Sequence, residues 1–276
     1  MVAISEIRRL LVQQPIELPV FHPVALKLTI MIPDPYSDFD DIVRVISEDQ
    51  ALSAKVLKMS NSSAYMGLKK AETIKESAIR LGAQQISVLA MAASQASLHS
   101  SDNPVINSVM RELWQHSLAC AIGCWWVANN TGHKSILDHA YLAGLLHDIG
   151  KLYLLKAMEQ LVRDRVVGVT LERNSMIDIF TDMHVEQGCR IMDHWSIPAI
   201  YRSVVERHHD ENCDPLDAML TILRLVNAVS RKIGLSLNRE NLQTEQAIPE
   251  AGLLDMDEVQ IAKLESVMAN FREASV

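Results

Sequence analysis

Aromatic residues are scarce in this chain, and so is the polar–apolar alternation that marks β-strands. Phe, Trp and Tyr together make up 5% of the 276 residues, whereas hydrophobic residues as a whole reach 49%. The apolar content is therefore mostly aliphatic, which favours packed helices over sheets. The length allows one large domain or two modest ones around a sizeable core. We expect an all-α protein.

Disulfide-type cysteine pairs and membrane-length apolar runs are also missing. The four cysteines include no CxxC motif, so we interpret them as thiols without chemistry in a reducing compartment. The longest apolar run, residues 118–128, is shorter than the about 20 residues that cross a bilayer. Glu6, Arg8 and Arg9 interrupt the apolar residues of the amino terminus, so no signal peptide is indicated. We expect a cytoplasmic protein with no membrane partner.

A surplus of positive charge is absent as well. The 26 Lys and Arg residues are outnumbered by 34 Asp and Glu residues, which gives a formal net charge of −8. Nucleic-acid-binding surfaces need clustered positive charge to neutralise phosphates. The balance therefore argues against an extended nucleic-acid surface.

A polar segment divides the chain into two long helical blocks. Residues 100–104 read Ser-Ser-Asp-Asn-Pro, a combination typical of a loop. This segment predicts an amino-terminal helical lobe over residues 1–103 and a second helical lobe over residues 104–276.

Helical periodicity and capping signals place the individual helices. Thr73 and Glu76 have the spacing of a capping box, and Gly82 is expected to end the helix that they begin. Asp214 and Pro215 suit the cap and first turn of a later helix. In the second lobe we expect helices at about 105–130, 137–158, 176–194, 198–209, from 214 to about 233, and one helix or a pair over 248–275.

The residues that can carry chemistry are histidines and one aspartate in the second lobe. His147 and Asp148 are adjacent and flanked by apolar residues, where burial is costly unless something pairs with them. A divalent cation would do so, because neutral imidazole and anionic carboxylate suit iron, manganese, zinc or magnesium. Further candidate ligands on predicted helices are His116, His184, His208 and His209.

Other interpretations of these residues stay open at this level. His147 and Asp148 could be buried without a metal, and His208-His209-Asp210 could form a solvated helix end. Lys151 could be a surface lysine. Adjacent histidines diverge by roughly 100° around a helix axis, so His208 and His209 could serve one metal from a helix end or two metals.

The order of these motifs resembles the HD superfamily of metal-dependent phosphohydrolases, and the amino-terminal half resembles its HDOD branch. The superfamily pattern consists of His116, then Leu145-Leu146-His147-Asp148-Ile149-Gly150-Lys151, then His184 and His208-His209. The HDOD-like segments are Leu18-Pro19-Val20, Ile46-Ser47-Glu48-Asp49-Gln50-Ala51-Leu52, Val56-Leu57-Lys58-Met59-Ser60-Asn61-Ser62, Ala78-Ile79-Arg80-Leu81-Gly82 and Trp195-Ser196-Ile197-Pro198. The resemblance extends from about residue 15 to about residue 235.

The resemblance implies an all-α HDOD fold, with an amino-terminal helical lobe and an HD-like lobe, and a role in bacterial signal transduction. Two departures bear on activity. Asn227 stands where HD enzymes carry a closing aspartate, so that position brings no charge. The Gly-Tyr-Pro motif of cyclic-di-GMP phosphodiesterases is replaced after His209 by Asp210-Glu211-Asn212-Cys213.

Two functional hypotheses follow from the resemblance. The first is a regulatory module that binds a signalling partner protein and has a partly retained metal site. The second is a metal-dependent phosphohydrolase acting on a nucleotide or other phosphate ester. In the second, one or two metals on His116, His147, Asp148, His184, His208 and His209 would polarise the phosphoryl oxygen and generate hydroxide, with Lys151 near the developing negative charge. A metal-dependent redox or ligand-sensing role remains a third, minor alternative.

Overall fold

The computed structural model describes residues 4–13, 23–31, 38–61, 69–164, 171–210, 214–238 and 249–274. Within these ranges every regular element is a helix, which confirms the all-α expectation. The segment Leu18-Pro19-Val20 and residues 211–213 lie outside them. No helix in the described part of the chain is both long enough and apolar enough to cross a membrane.

The described chain folds into two compact units. The smaller unit comprises described residues within 19–98 and 195–198, and the larger unit those within 1–18, 99–194 and 199–276. Compactness alone does not establish that either unit folds independently, so the domain boundary between residues 103 and 104 stays a prediction.

The smaller unit is built around one central helix. Its helices are α2 (Pro23–Met31), α3 (Phe39–Ser47), α4 (Gln50–Ser60), α5 (Ile74–Leu81) and α6 (Ala83–Leu98). The other four pack against α6, and their core includes Leu28, Ile46, Val56 and Leu89. An apolar core of this kind provides the main driving force for helices this short.

Capping residues set helix starts in the smaller unit, and the cap at Thr73 is the one that the sequence predicts. The side chain of Thr73 accepts a hydrogen bond of 3.0 Å from the backbone N–H of Glu76, at the start of α5. Asp49 caps α4 in the same way through the N–H of Leu52. Gly82 ends α5 with a backbone φ angle of +87°, which residues with a Cβ atom rarely adopt.

The larger unit carries the candidate site and is organised around its longest helix. Its helices are α1 (Ile4–Gln13), α7 (Pro104–Asn130), a 3₁₀ turn (Lys134–Ile136), α8 (Leu137–Leu146), α9 (Ile149–Arg163), α10 (Arg173–His194), α11 (Ala199–Arg207), α12 (Ala218–Lys232), α13 (Pro249–Leu253) and α14 (Glu258–Ala274). Helix α7 packs against α8, α9, α12 and α14, while α10 packs against α9 and α11. The carboxy-terminal region, where one helix or a pair is expected, forms the pair α13 and α14.

The single helix expected over 137–158 is wrong, because the chain breaks at His147 and Asp148. Helix α8 ends at Leu146, and α9 begins at Ile149. Every residue from Ala140 to Gly150 is buried. An exposed helix shows a helix end as a break in its polar–apolar pattern, but a fully buried segment has no such pattern to break. The side chains of His147 and Asp148 therefore extend from the turn between α8 and α9.

The start of α12 also differs from the prediction at Asp214 and Pro215. The helix begins at Ala218, and the Asp217 side chain caps it by accepting the N–H of Leu220 at 3.1 Å. The Asp214 side chain instead accepts the N–H of Leu216 at 2.9 Å, within the preceding turn. Both aspartates suit a cap, but only Asp217 directly precedes the buried run that begins at Met219.

A glycine contact brings α9 and α10 unusually close. A Cβ placed on Gly150 would lie 1.9 Å from the carbonyl oxygen of His184 and 2.8 Å from the amide nitrogen of Gly188. Neither atom can give way, because both belong to the backbone of α10. The missing side chain at Gly150 therefore lets Asp148 and His184 approach each other.

We predict that Gly150→Ala destabilises the protein by about 2 kcal/mol or more, since overpacking a rigid contact costs roughly 1–3 kcal/mol or higher. Urea unfolding should show a lower midpoint at unchanged slope. Gly252→Ala is the control, because nothing lies within 4 Å of a Cβ placed there. Equal midpoints for the two variants would contradict the close packing of α9 on α10.

Candidate metal centre

The predicted site residues come together inside the larger unit. His116 comes from α7, His147 and Asp148 from the turn between α8 and α9, and His184 from α10. His208 and His209 form the turn that directly follows α11, rather than lying within a helix. His116, His147, Asp148, His184 and His208 are each no more than 4% exposed, whereas His209 is exposed.

The distances between the imidazole Nε2 atoms suit a shared metal ion. The separation is 3.2 Å between His116 and His147, 3.4 Å between His184 and His208, and 3.1 Å between His209 and His184. Two nitrogens bound at about 2.0–2.1 Å to one tetrahedral ion lie about 3.3 Å apart. The ring nitrogens thus have the spacing of ligands to one ion.

Backbone carbonyls fix the tautomers of three of these histidines. The Nδ1–H groups of His147, His184 and His208 donate to the carbonyl oxygens of Gly144 (2.8 Å), Phe180 (2.5 Å) and Val205 (2.8 Å). In the neutral imidazole, the Nε2 atom then carries a lone pair and no proton. Carbonyl partners on the outer nitrogen are the usual arrangement for metal-binding histidines.

His116 has the opposite environment. Its Nε2 atom lies 3.2 Å from both the Nε2 of His147 and the Oδ2 of Asp148, which are acceptors. Its Nδ1 atom faces the Ser230 hydroxyl at 3.4 Å instead of a carbonyl. The Ser230 hydroxyl donates its proton to the Asn227 carbonyl at 2.9 Å, so it offers Nδ1 a neutral oxygen, whereas Nε2 faces the Asp148 carboxylate. The carboxylate is the stronger acceptor and favours a proton on Nε2, so His116 would change tautomer to bind a cation through that nitrogen.

The two oxygens of the Asp148 carboxylate face different groups. Oδ2 contacts Lys151 Nζ at 2.6 Å, His116 at 3.2 Å and His147 at 3.4 Å. Oδ1 lies 3.7 Å from the Nε2 atoms of both His184 and His208, and it has no hydrogen-bond partner among the described residues. A buried anionic oxygen that faces two imidazole lone pairs is costly alone, and a cation between them would relieve it. The residues present therefore fit a divalent metal.

The electrostatics keep these groups in the protonation states that a metal requires. Burial disfavours the charged form of Asp148, but Lys151, His147 and His116 outweigh it and hold the pKa of the carboxyl well below its usual range. Burial lowers the pKa of His184 to about 4 and that of His209 to about 4, and it lowers the pKa of His208 well below normal. At neutral pH, Asp148 is therefore anionic and these three imidazoles are neutral.

Lys151 and Asn227 both lie beside the site. The ammonium of Lys151 binds Asp148 from the first turn of α9, and its side chain is 17% exposed. Asn227 is buried on α12. Ser230, three positions later on that helix, contacts His116, so Asn227 shares the helix face that looks toward the site.

Sequence reasoning missed Cys120 and Ser230 as neighbours of His116. The ligand atoms of His116, Cys120 and His147 all lie within 4.8 Å of one another. The Cys120 Sγ is 3.8 Å from both ring nitrogens of His116, so it lies off the lone-pair axis of each and beside the ring. The four-residue spacing from His116 places Cys120 on the same face of α7, which was the available signal.

The fold and the site together define a class of protein, namely an all-helical domain with a buried histidine–aspartate cluster. The sequence model of the HDOD domain matches residues 18–211, which is more than half of the chain. The chain therefore belongs to the HDOD domain family.

Solved structures share the fold. An HDOD domain protein of unknown function from Geobacter sulfurreducens is 21% identical with a TM-score of 0.73, covering 99% of this chain and 96% of that one. A Shewanella amazonensis protein provisionally named a metal-dependent phosphohydrolase is 20% identical with a TM-score of 0.67, covering 96% and 97%. A Marinobacter aquaeolei protein provisionally named for signal transduction is 19% identical with a TM-score of 0.68, covering 99% and 64%. At these identities the likeness establishes the fold alone.

A curated protein also matches this chain in sequence. An uncharacterised protein of Treponema pallidum (strain Nichols) is 25% identical over 200 residues, which is 70% of this chain. The match spans only 38% of that longer protein. The relative therefore carries this region together with additional sequence.

We predict that metal-free protein holds His147, His184 and His208 as Nδ1–H tautomers and His116 as the Nε2–H tautomer. The reason is that carbonyl oxygens face the first three Nδ1 atoms, whereas acceptors face the His116 Nε2. Long-range ¹⁵N–¹H correlation spectra of the histidine rings report the protonated nitrogen. An Nε2–H signal from His184 or His208 would show that their lone pairs do not point into the site.

Proposed function

We propose that this protein is a regulatory module of a signal-transduction system whose larger unit binds a divalent cation. The ligands are His116, His147, Asp148, His184, His208 and His209, all or in part. The observation that carries the proposal is the Asp148 Oδ1 atom, which is buried without a hydrogen bond from the described residues and faces two imidazole nitrogens whose protons are held elsewhere.

The donor set narrows the choice of cation. Five imidazoles and one carboxylate favour zinc, ferrous iron or manganese, because magnesium prefers oxygen ligands and keeps much of its water. Three ring nitrogens are already oriented by carbonyls, so a cation would meet a partly preorganised site.

The proposed role of the cation is to fix the larger unit in one conformation. The candidate ligands come from α7, the α8–α9 turn, α10 and the turn after α11, so bound metal would join separate parts of the unit. Binding to the folded chain and not to the unfolded chain stabilises the fold. We propose that a signalling partner protein recognises this stabilised unit. Membership in the HDOD family and the name of the Marinobacter relative support the signalling role.

Two features of the site support a regulatory role over catalysis. Asn227 brings no charge to the face of α12 that looks toward the cluster. The Lys151 ammonium is already bound to Asp148 at 2.6 Å. A positive charge that is neutralised in this way stabilises a developing negative charge less than a free ammonium would.

Phosphate ester hydrolysis is the second candidate function, with a nucleotide or another phosphate ester as substrate. His209 is exposed although its neighbours in the cluster are buried, so the site reaches the surface on that side. A bound cation would supply Lewis acidity for polarising a phosphoryl oxygen and activating water. Lys151 would lie next to the reacting phosphate, and Asp148 would orient the ligands around it. The name of the Shewanella relative supports this alternative.

We predict that purified protein contains zinc, iron or manganese, and that chelation lowers its melting temperature by about 5 °C or more. A ligand at 100 times its Kd stabilises by about 2.7 kcal/mol, and each kcal/mol corresponds to roughly 2–4 °C for a chain of this size. Elemental analysis and thermal unfolding measure both effects. His184→Ala should lose the metal, whereas the control His194→Ala, an exposed position on the same helix, should keep it. A metal content equal in the two variants would refute the centre.

We further predict no turnover of generic phosphomonoester or phosphodiester substrates by protein loaded with Mn²⁺ or Fe²⁺. Bound metal without product would fit the regulatory module. Turnover that disappears in Asp148→Asn but persists in His194→Ala would instead establish the hydrolase.

A further inference from the structure

The cluster has two sides that share the Asp148 carboxylate. The three-histidine side consists of His184, His208, His209 and the Oδ1 atom of Asp148. The lysine side consists of His116, His147, Lys151 and the Oδ2 atom of Asp148. We infer that the site takes one cation, on the three-histidine side, and that the Lys151 ammonium occupies the place of a second cation on the lysine side. This inference rests on the proposed metal centre and specifies its stoichiometry and its position.

On the three-histidine side, ring nitrogens and a carboxylate oxygen converge without a cation among them. The nitrogen separations there are 3.4 Å and 3.1 Å, which match two ligands of one tetrahedral ion. Carbonyls hold the Nδ1 protons of His184 and His208 away from the centre. Asp148 Oδ1 completes a set of three nitrogens and one oxygen, and it accepts no hydrogen bond from the described residues.

The lysine side already has its charge balanced. Lys151 Nζ lies 2.6 Å from Asp148 Oδ2, and His116 Nε2 lies 3.2 Å from the same oxygen. A divalent ion bound there would compete with the ammonium for one carboxylate oxygen and would be repelled by it at short range. Binding on this side thus requires the displacement of the Lys151 ammonium from Asp148, which binding on the three-histidine side does not.

The supply of negative charge also limits the site to one ion. Within the described ranges, the ion-pair contacts of His116, His147, His184 and His208 all go to Asp148. Asn227 is a neutral amide, so it adds no anion. Two divalent ions and one ammonium would therefore share a single buried carboxylate, which is unfavourable.

Zinc binding to single-site variants tests the position of the ion. Equilibrium dialysis with Zn²⁺ followed by elemental analysis should give one ion per wild-type chain. His209→Ala should weaken binding more than tenfold, because even outer partners of metal ligands are worth about 10–100-fold. His116→Ala should weaken binding much less than His209→Ala, and the control His194→Ala should leave the affinity unchanged. His209 is exposed, so its removal should not disturb folding.

The number of ions tests the role of Lys151. Lys151→Gln removes the ammonium and should raise the zinc content from one to two ions per chain. Lys156→Gln, a second lysine of α9, is the matched control and should leave it at one. Circular dichroism verifies that each variant is folded. A zinc content of one in folded Lys151→Gln protein would overturn the role of Lys151.

The remaining outcomes separate this inference from the proposed function. Two ions on the wild-type chain, or loss of zinc in His116→Ala with retention in His209→Ala, would overturn the inference and leave a metal centre standing. No bound zinc, iron or manganese in the wild-type chain would overturn both.

Discussion

The burial of the Asp148 carboxylate is the constraint on which the larger unit depends. An isolated anion inside a protein costs far more free energy than a typical domain has to spare. Here Lys151 and His116 compensate one oxygen directly, while the other oxygen faces His184 and His208. Because these groups come from separate helices, the position of one carboxylate relates α7, α9, α10 and α11 to one another.

Much of the fold could be predicted because its signals are local. The cap at Thr73 and the helix end at Gly82 depend on a few neighbouring residues, and both follow from spacing. The break after α8 could not be predicted in this way. It coincides with a close approach between Gly150 and the backbone of α10, more than thirty residues away in sequence, and buried residues on both sides hide it. Single-sequence patterns do not record such tertiary packing.

The candidate site, like the fold, could be predicted where its signals are local and could not where they depend on tertiary packing. The convergence of the six predicted residues followed from the order of family motifs, and their role as metal ligands remains a proposal. The carbonyl partners of His147, His184 and His208 lie three or four residues earlier in the chain, so a short local sequence orients each ring. For His147 and His208 these carbonyls belong to the last turns of α8 and α11, where helices leave acceptors unused. The proximity of Ser230 to His116 depends on packing and has no signature in the sequence pattern. Cys120 and Lys151 are local neighbours instead, four residues after His116 and three residues after Asp148.

The surface exposure of His209 bears on how solvent reaches the cluster. The other four histidines of the cluster and Asp148 are nearly inaccessible to solvent, while His209 lies in a turn just beyond α11. A cation bound beside His209 would therefore lie closer to solvent than one bound beside His116 or His147. Its route to water would pass one exposed side chain and would not require a helix to unfold.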